Sequence, residues 1–129
     1  MAVSPSALNA APEKYHDKTV VVEGFLTLVP EAHNLYQSQV LKAEFEQRWD
    51  AEDPAFDPKD YQVYCLTISN PEALMVKREA LNGTTITIKG KFLADYLDGK
   101  IDLGACPLPT AIEVDVDDLR RRYPSIFAE

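Results

Sequence analysis

Hydrophobic and polar residues alternate in two long segments of the chain that share one layout. Residues 19–26 (TVVVEGFL) and residues 85–92 (TITIKGKF) align at a constant offset of 66, and each carries glycine at its sixth position. β-Branched residues with a period of two predict strands, and a glycine inside such a strand marks a bulge or a bend. The repeat therefore predicts two long, bent strands of one small curled sheet or barrel.

Three further segments have the composition of short strands, namely residues 35–38, 61–69 and 110–116. The segment 61–69 is largely apolar on both faces, which predicts cover on both sides or an aromatic outer face used for binding. The dipeptide Asp98-Gly99 predicts a turn, and residues 101–103 follow it as a short return strand. The pattern thus contains five principal strands.

Helices are predicted where a capping residue precedes a proline. Ser4-Pro5 begins a short helix that Pro12 interrupts, and Asn70-Pro71 begins another that ends near Asn82-Gly83. A last short helix begins at Asp117 and ends before Pro124.

Residues 39–60 form an insertion with two parts. Val40, Leu41, Phe45 and Trp49 recur at helical spacing, and Glu44 and Arg48 stand at the i,i+4 spacing of an ion pair. The remainder is an acidic loop with two prolines. Packing of the helix on the barrel is the favoured interpretation, and docking of a partner is the alternative.

The bulk composition is that of one globular domain spanning residues 1–129, with 46% hydrophobic residues. No apolar run reaches the ~20 residues of a membrane span, and no basic and apolar leader opens the chain. We therefore expect a cytoplasmic protein as the sequence stands, and a periplasmic one if an export segment has been removed. Oligomeric state leaves no signature in the sequence.

The net charge is −8, from 21 acidic and 13 basic residues. Nucleic-acid binders usually have the opposite balance, because neutralising phosphates supplies much of their affinity. The insertion holds seven acids and three bases, a net charge of −4. Its candidate partner-binding acids are Glu44, Glu46, Asp50, Glu52, Asp53 and Asp57.

Few residues suggest catalysis or metal binding. His16 and His33 are the only histidines, and both lie in predicted turns without an evident shared cleft. Residues 113–118 contain four acids but lack the spacing and the glycine of a calcium loop. Solvation of a strand end and helix capping are the favoured interpretation of these acids. We expect no enzyme, no cofactor and no metal.

The order of elements resembles an oligonucleotide/oligosaccharide-binding (OB) barrel. Residues 12–24 follow the pattern P-x-x-Y-x-x-K-x-V-x-V-x-G, Leu35-Tyr36 follows in the next strand, and residues 81–90 end on a second glycine. These features resemble small, uncharacterised bacterial OB-like proteins. The resemblance implies a mainly β, five-stranded Greek-key barrel with a helix between strands 3 and 4. The insertion at 39–60 and the C-terminal helix would be additions to it.

On that fold the third strand lies beside the fifth, which brings Cys65 and Cys106 near each other. Two free thiols are the default in the cytosol, whereas a disulfide is expected if the protein is exported. The resemblance also implies a ligand-binding strand face. The candidate aromatic residues on it are Tyr36, Tyr61, Tyr64, Phe92 and Tyr96. Because no basic groove accompanies them, core or edge packing is the favoured interpretation of these rings.

Two functional hypotheses follow. The first is a binding module that engages a protein partner or a small ligand, and a basic protein is one candidate partner. Inhibition in the manner of immunity proteins is one version. The second is binding of single-stranded nucleic acid or oligosaccharide on the aromatic face, where stacking is worth about 1–3 kcal/mol per base. The net charge of −8 favours the first.

Overall fold

Five strands close into a barrel. The computed structural model describes residues 2–29, 32–52, 54–57, 60–97, 106 and 108–127. Its strands are β1 (Thr19–Val29), β2 (Ala32–Tyr36), β3 (Cys65–Ile68), β4 (Thr84–Leu93) and β5 (Ala111–Val114). They close in the order β1-β2-β3-β5-β4, with β3 and β5 parallel and the other neighbours antiparallel. The predicted five-stranded barrel is confirmed, and it is compatible with an OB-like barrel. The turn and return strand predicted at 98–103 lie outside the described residues.

Short helices surround the barrel. They are α1 (Pro5–Ala10), α2 (Pro12–Tyr15), α3 (Gln39–Asp50), α4 (Glu72–Met75), α5 (Arg78–Leu81), α6 (Val116–Arg122) and α7 (Pro124–Phe127), and a 3-10 turn spans Gln62–Tyr64. Helical residues outnumber strand residues, so the fold is a mixed one built around the barrel. The helix predicted between strands 3 and 4 is present as the pair α4 and α5. Within the described part of the chain, no helix is long and apolar enough to cross a membrane.

Helix α6 corresponds to the helix predicted to begin at Asp117, with one shift at its start. Asp115, not Asp117, is the capping residue, and its carboxylate accepts a hydrogen bond from the Asp118 amide at 3.0 Å. Acids occupy the first turn of α6, and Arg120 to Arg122 occupy the last turn. Both groups complement the helix dipole.

The two copies of the repeat pair with each other. β1 and β4 are antiparallel neighbours, and their register places Val20 opposite Gly90 and Gly24 opposite Ile86. The repeat offset of 66 relates Val20 to Ile86 and Gly24 to Gly90, so each of these two pairs maps onto the other. β1 and β4 therefore have a local two-fold relation. The register runs without interruption through both glycines, which excludes a bulge at either position in this pairing.

Each glycine marks the point where its strand changes partner. β1 pairs with β4 over residues 19–26 and with β2 over residues 25–29. β4 changes in the same way from β1 to β5 at Gly90. A Cβ on Gly24 would lie 2.5 Å from the carbonyl oxygen of Tyr36, and one on Gly90 would overlap the carbonyl of Glu113. Close backbone approach therefore requires both glycines.

Alternate strand residues fill the barrel. Val20, Val22, Leu26 and Leu28 of β1 are buried, as are Ile86, Ile88 and Phe92 of β4. Helices cover the barrel with fully buried leucines, among them Leu8 of α1, Leu74 of α4 and Leu81 of α5. These residues belong to one continuous hydrophobic cluster.

Substitution of either glycine by alanine should destabilise the barrel. Because the added methyl group meets backbone rather than a movable side chain, we expect each variant to lose about 1–3 kcal/mol of unfolding free energy. Urea denaturation followed by circular dichroism measures the loss. Thr85→Ala, at an exposed position of β4, is the matched control. Equal midpoints for Gly24→Ala, Gly90→Ala and wild type would contradict the steric explanation.

Candidate functional site

Helix α3 lies outside the hydrophobic cluster. The Ser38 hydroxyl caps it by accepting a hydrogen bond from the Leu41 amide at 3.1 Å, and none of its twelve residues is fully buried. Leu41 and Phe45 are partly buried, whereas Val40 is 74% exposed. Trp49, which the packing interpretation also included, is 57% exposed and so covers the barrel only in part. The packing interpretation holds for Leu41 and Phe45.

Five aromatic side chains form a cluster on the inner side of α3. The cluster consists of Phe45, Trp49, Phe56, Tyr61 and Tyr64, and we call it the aromatic cluster. Phe45 stacks on Trp49 at 5.9 Å and meets Phe56 and Tyr61 edge-on at 5.5 and 5.7 Å between ring centroids. Tyr61 contacts Tyr64 at 6.3 Å, and Tyr64 immediately precedes β3. Ring contacts thus connect the insertion to the barrel.

Two cations of α3 lie over aromatic rings. The Arg48 guanidinium is 5.3 Å from the Phe56 centroid and 5.8 Å from the Tyr61 centroid, and its Nη1 donates a hydrogen bond to the Tyr61 hydroxyl at 3.0 Å. Lys42 forms an ion pair with Glu46, and its Nζ lies 5.6 Å from the centroid of Tyr36 on β2. These cation–π contacts orient the helix toward β2 and the 3-10 turn.

A cavity of about 90 Å³ lies between α3 and the barrel. Tyr36, Phe45, Tyr61, Tyr64 and the two cysteines are among its lining residues. An apolar cavity that binds benzene measures about 150 Å³. In this conformation the cavity is therefore too small to enclose a nucleobase or a sugar ring.

The structure brings together only part of the predicted aromatic face. Tyr36, Tyr61 and Tyr64 line one cavity, although Tyr61 and Tyr64 precede β3 and are not on it. Phe92 is fully buried in the core, and Tyr96 lies beyond the end of β4. A single face with all five rings is therefore not present.

The acids of the insertion remain at the surface. Glu44, Glu46, Asp50, Glu52 and Asp57 are exposed, and Asp53 lies outside the described residues. Because the cavity lies beneath α3, the candidate acidic insert and part of the candidate aromatic face form one region. The sequence pattern indicates two separate sites and no role for Phe56, whose one signal is that an aromatic residue stands among acids and prolines.

A disulfide joins Cys65 to Cys106, with 5.8 Å between their Cα atoms. The bridge rather than the thiol pair is therefore the state in this structure. The Cys106 amide donates to the Thr67 hydroxyl at 2.8 Å. The Asn9 amide group of α1 donates to the carbonyls of Val63 and Cys65 at 2.9 and 3.0 Å. These bonds hold the 3-10 turn with Tyr61 and Tyr64 against the barrel.

The histidines lie apart from this region. His16 Nδ1 accepts a hydrogen bond from the Ala94 amide at 3.1 Å, and its Nε2 is 3.4 Å from Asp17 Oδ2. His33 is on β2, paired with Leu28 of β1, and not in the predicted turn. Among the described residues, no group of three or more His, Cys, Asp or Glu side chains could hold a metal ion.

Comparisons with protein-family models, with curated proteins and with solved structures gave no match. The region around α3 must therefore be interpreted from its own geometry.

Removal of the disulfide should cost stability. A bridge across 41 positions restricts the unfolded chain, and the loop-entropy relation gives about 4 kcal/mol for a loop of that length. We expect Cys65→Ser/Cys106→Ser to unfold at a lower urea concentration than wild type, and reductant to lower the midpoint of the wild type only. A wild-type midpoint that does not respond to reductant would contradict a stabilising bridge.

Proposed function

We propose that this chain is a non-enzymatic binding module on an OB-like barrel and that the insertion engages a basic protein partner. The observation that supports this proposal most is the two-sidedness of α3. Its inner side is attached to the barrel by Phe45 and Arg48, and its outer side carries exposed Glu44, Glu46 and Asp50. The acids are thus presented on a supported helix.

Charge complementarity is the recognition chemistry that such a surface supplies. Complementary potentials raise association rates and discriminate between partners, and this effect weakens with salt. The outer side also carries Val40, which is 74% exposed and adds apolar contact area. Shielding or inhibition of a basic protein, as immunity proteins do, is one version of this function.

Nucleic-acid or oligosaccharide binding is less well supported. The cavity beside Tyr36, Tyr61 and Tyr64 measures about 90 Å³, and α3 covers it. An acidic chain also gains little affinity from neutralising the phosphates of a nucleic acid. This alternative is therefore an outcome of the test below.

The disulfide supports action in an oxidising compartment. Structural disulfides persist in the periplasm and outside the cell and are rare in the cytosol. We therefore favour the exported alternative, with the periplasm as the site of action if the source is bacterial.

Neutralising the outer face should weaken binding. The change is Glu44→Gln/Glu46→Gln/Asp50→Asn, and the probe is a labelled peptide rich in arginine and lysine, followed by fluorescence anisotropy. At about 0.5 kcal/mol for each exposed charge, we expect roughly tenfold weaker binding at low salt and a smaller difference at about 0.3 M salt.

The matched control removes three exposed acids elsewhere, Glu23→Gln/Glu72→Gln/Glu79→Gln, and so changes the net charge equally. Equal weakening by the control would mean that net charge alone attracts the peptide, and the proposal would fail. Binding of a labelled oligonucleotide at about 0.15 M salt, abolished by Tyr36→Ala or Tyr64→Ala, would support the nucleic-acid alternative instead.

A further inference from the structure

Trp49 is the most exposed residue of the aromatic cluster. One part of the indole is packed, because it stacks on Phe45 at 5.9 Å and contacts Phe56 edge-on at 6.2 Å between ring centroids. Nevertheless, Trp49 is 57% exposed. Exposed tryptophans are uncommon in surfaces without a partner, and tryptophan is among the residues that contribute most to protein interfaces.

Exposed acids flank Trp49 in the sequence. Glu46 precedes Trp49 by three residues and therefore lies on a neighbouring part of the helix surface. Asp50 and Glu52 follow Trp49 at the end of the helix, and all three acids are exposed. Glu46 forms an ion pair with Lys42, so Asp50 and Glu52 supply most of the negative charge near Trp49 in the sequence. An aromatic face beside carboxylates attracts a cation through both the ring quadrupole and the ion pair.

Neighbouring rings of the same region already hold cations. Arg48 lies over Phe56 and Tyr61, and Lys42 lies over Tyr36, at distances between 5.3 and 5.8 Å. This region therefore already uses ring faces to bind the cations of its own helix. Tryptophan is the side chain with the strongest cation–π attraction, and here its exposed part faces solvent.

We propose that the exposed part of Trp49, together with the exposed acids that follow it in the chain, Asp50 and Glu52, binds an arginine side chain of the basic partner. Arginine fits better than lysine because its planar, weakly hydrated guanidinium stacks on an indole while its N–H groups reach carboxylates. This proposal rests on the proposed function and adds to it the residue type that the partner presents and the side chain that receives it.

The single tryptophan of the chain reports on this contact directly. Titration with an arginine-containing peptide should change the Trp49 emission in a saturable manner. The same peptide with citrulline in place of arginine keeps the shape of the side chain without its charge. We expect it to bind more weakly and to leave the emission unchanged.

Variants then test the side chain itself, with anisotropy of the labelled peptide as the measurement. Trp49→Leu should weaken binding of the arginine peptide about three- to thirtyfold, in proportion to the usual strength of a cation–π contact. Trp49→Phe keeps a ring that stacks on Phe45 and should have an intermediate effect. Val76→Ala removes a similarly exposed apolar side chain outside the insertion and should leave binding unchanged.

The outcomes separate this inference from the proposed function. If Trp49→Leu binds like wild type while neutralising the acids weakens binding, the arginine site is wrong and the proposed function stands. If neither change affects binding, both fail. Equal binding of the citrulline and arginine peptides would also overturn arginine recognition. So would a loss of affinity in Trp49→Leu that is absent in Trp49→Phe and does not depend on replacing arginine by citrulline.

Discussion

The close approach of backbone to backbone at Gly24 and Gly90 is the constraint on which the barrel depends. At these points β1 leaves β4 for β2, and β4 leaves β1 for β5. A side chain at either position would fill the space that the neighbouring strand occupies. With both contacts made, the five strands close on each other and no long edge is left for unwanted pairing. The local two-fold relation between β1 and β4 means that one steric solution is used twice.

Asparagine side chains attach the surrounding segments to this barrel. The Asn70 side chain both donates to the Val114 carbonyl, at 3.0 Å, and accepts from the Val114 amide, at 2.8 Å. The Asn82 side chain accepts a hydrogen bond from the Leu28 amide at 2.8 Å. The Asn9 side chain of α1 donates one to the carbonyl of Cys65, the first residue of β3. Each amide group bonds backbone groups at or near the end of a strand. Helix α3 is different, because rings and two cations attach it.

The sequence could predict the parts of the fold that local steric demands determine. The two long strands follow from the period of two, and the barrel follows from the number and order of the strands. The start of β3 could not be predicted in this way, because Asn9 binds the carbonyls on either side of it from more than fifty residues away. A residue pattern that is apolar on both faces also gives no signal for where such a strand begins.

The candidate site was only partly predictable for the same kind of reason. Phe92 and Tyr36 both lie on strands, but the register buries Phe92 in the core and leaves Tyr36 at the cavity. The insertion and the three tyrosines lie side by side because α3 contacts β2 and the 3-10 turn, which the sequence pattern does not indicate. Redox state likewise cannot be read from the spacing of two cysteines, since it depends on the compartment as well as on geometry.

The manner of attachment explains why α3 suits a binding role better than the core does. A helix of twelve residues is marginal by itself, so α3 depends on its contacts with Phe56, Tyr61 and Tyr36. Ring pairs contribute about 0.5–1.5 kcal/mol each beyond buried area, which is enough to orient the helix but far less than the stability of a barrel. Its outer residues can therefore vary without disturbing the fold. On the proposed function, the barrel supplies the support and the outer side of α3 supplies the contact surface.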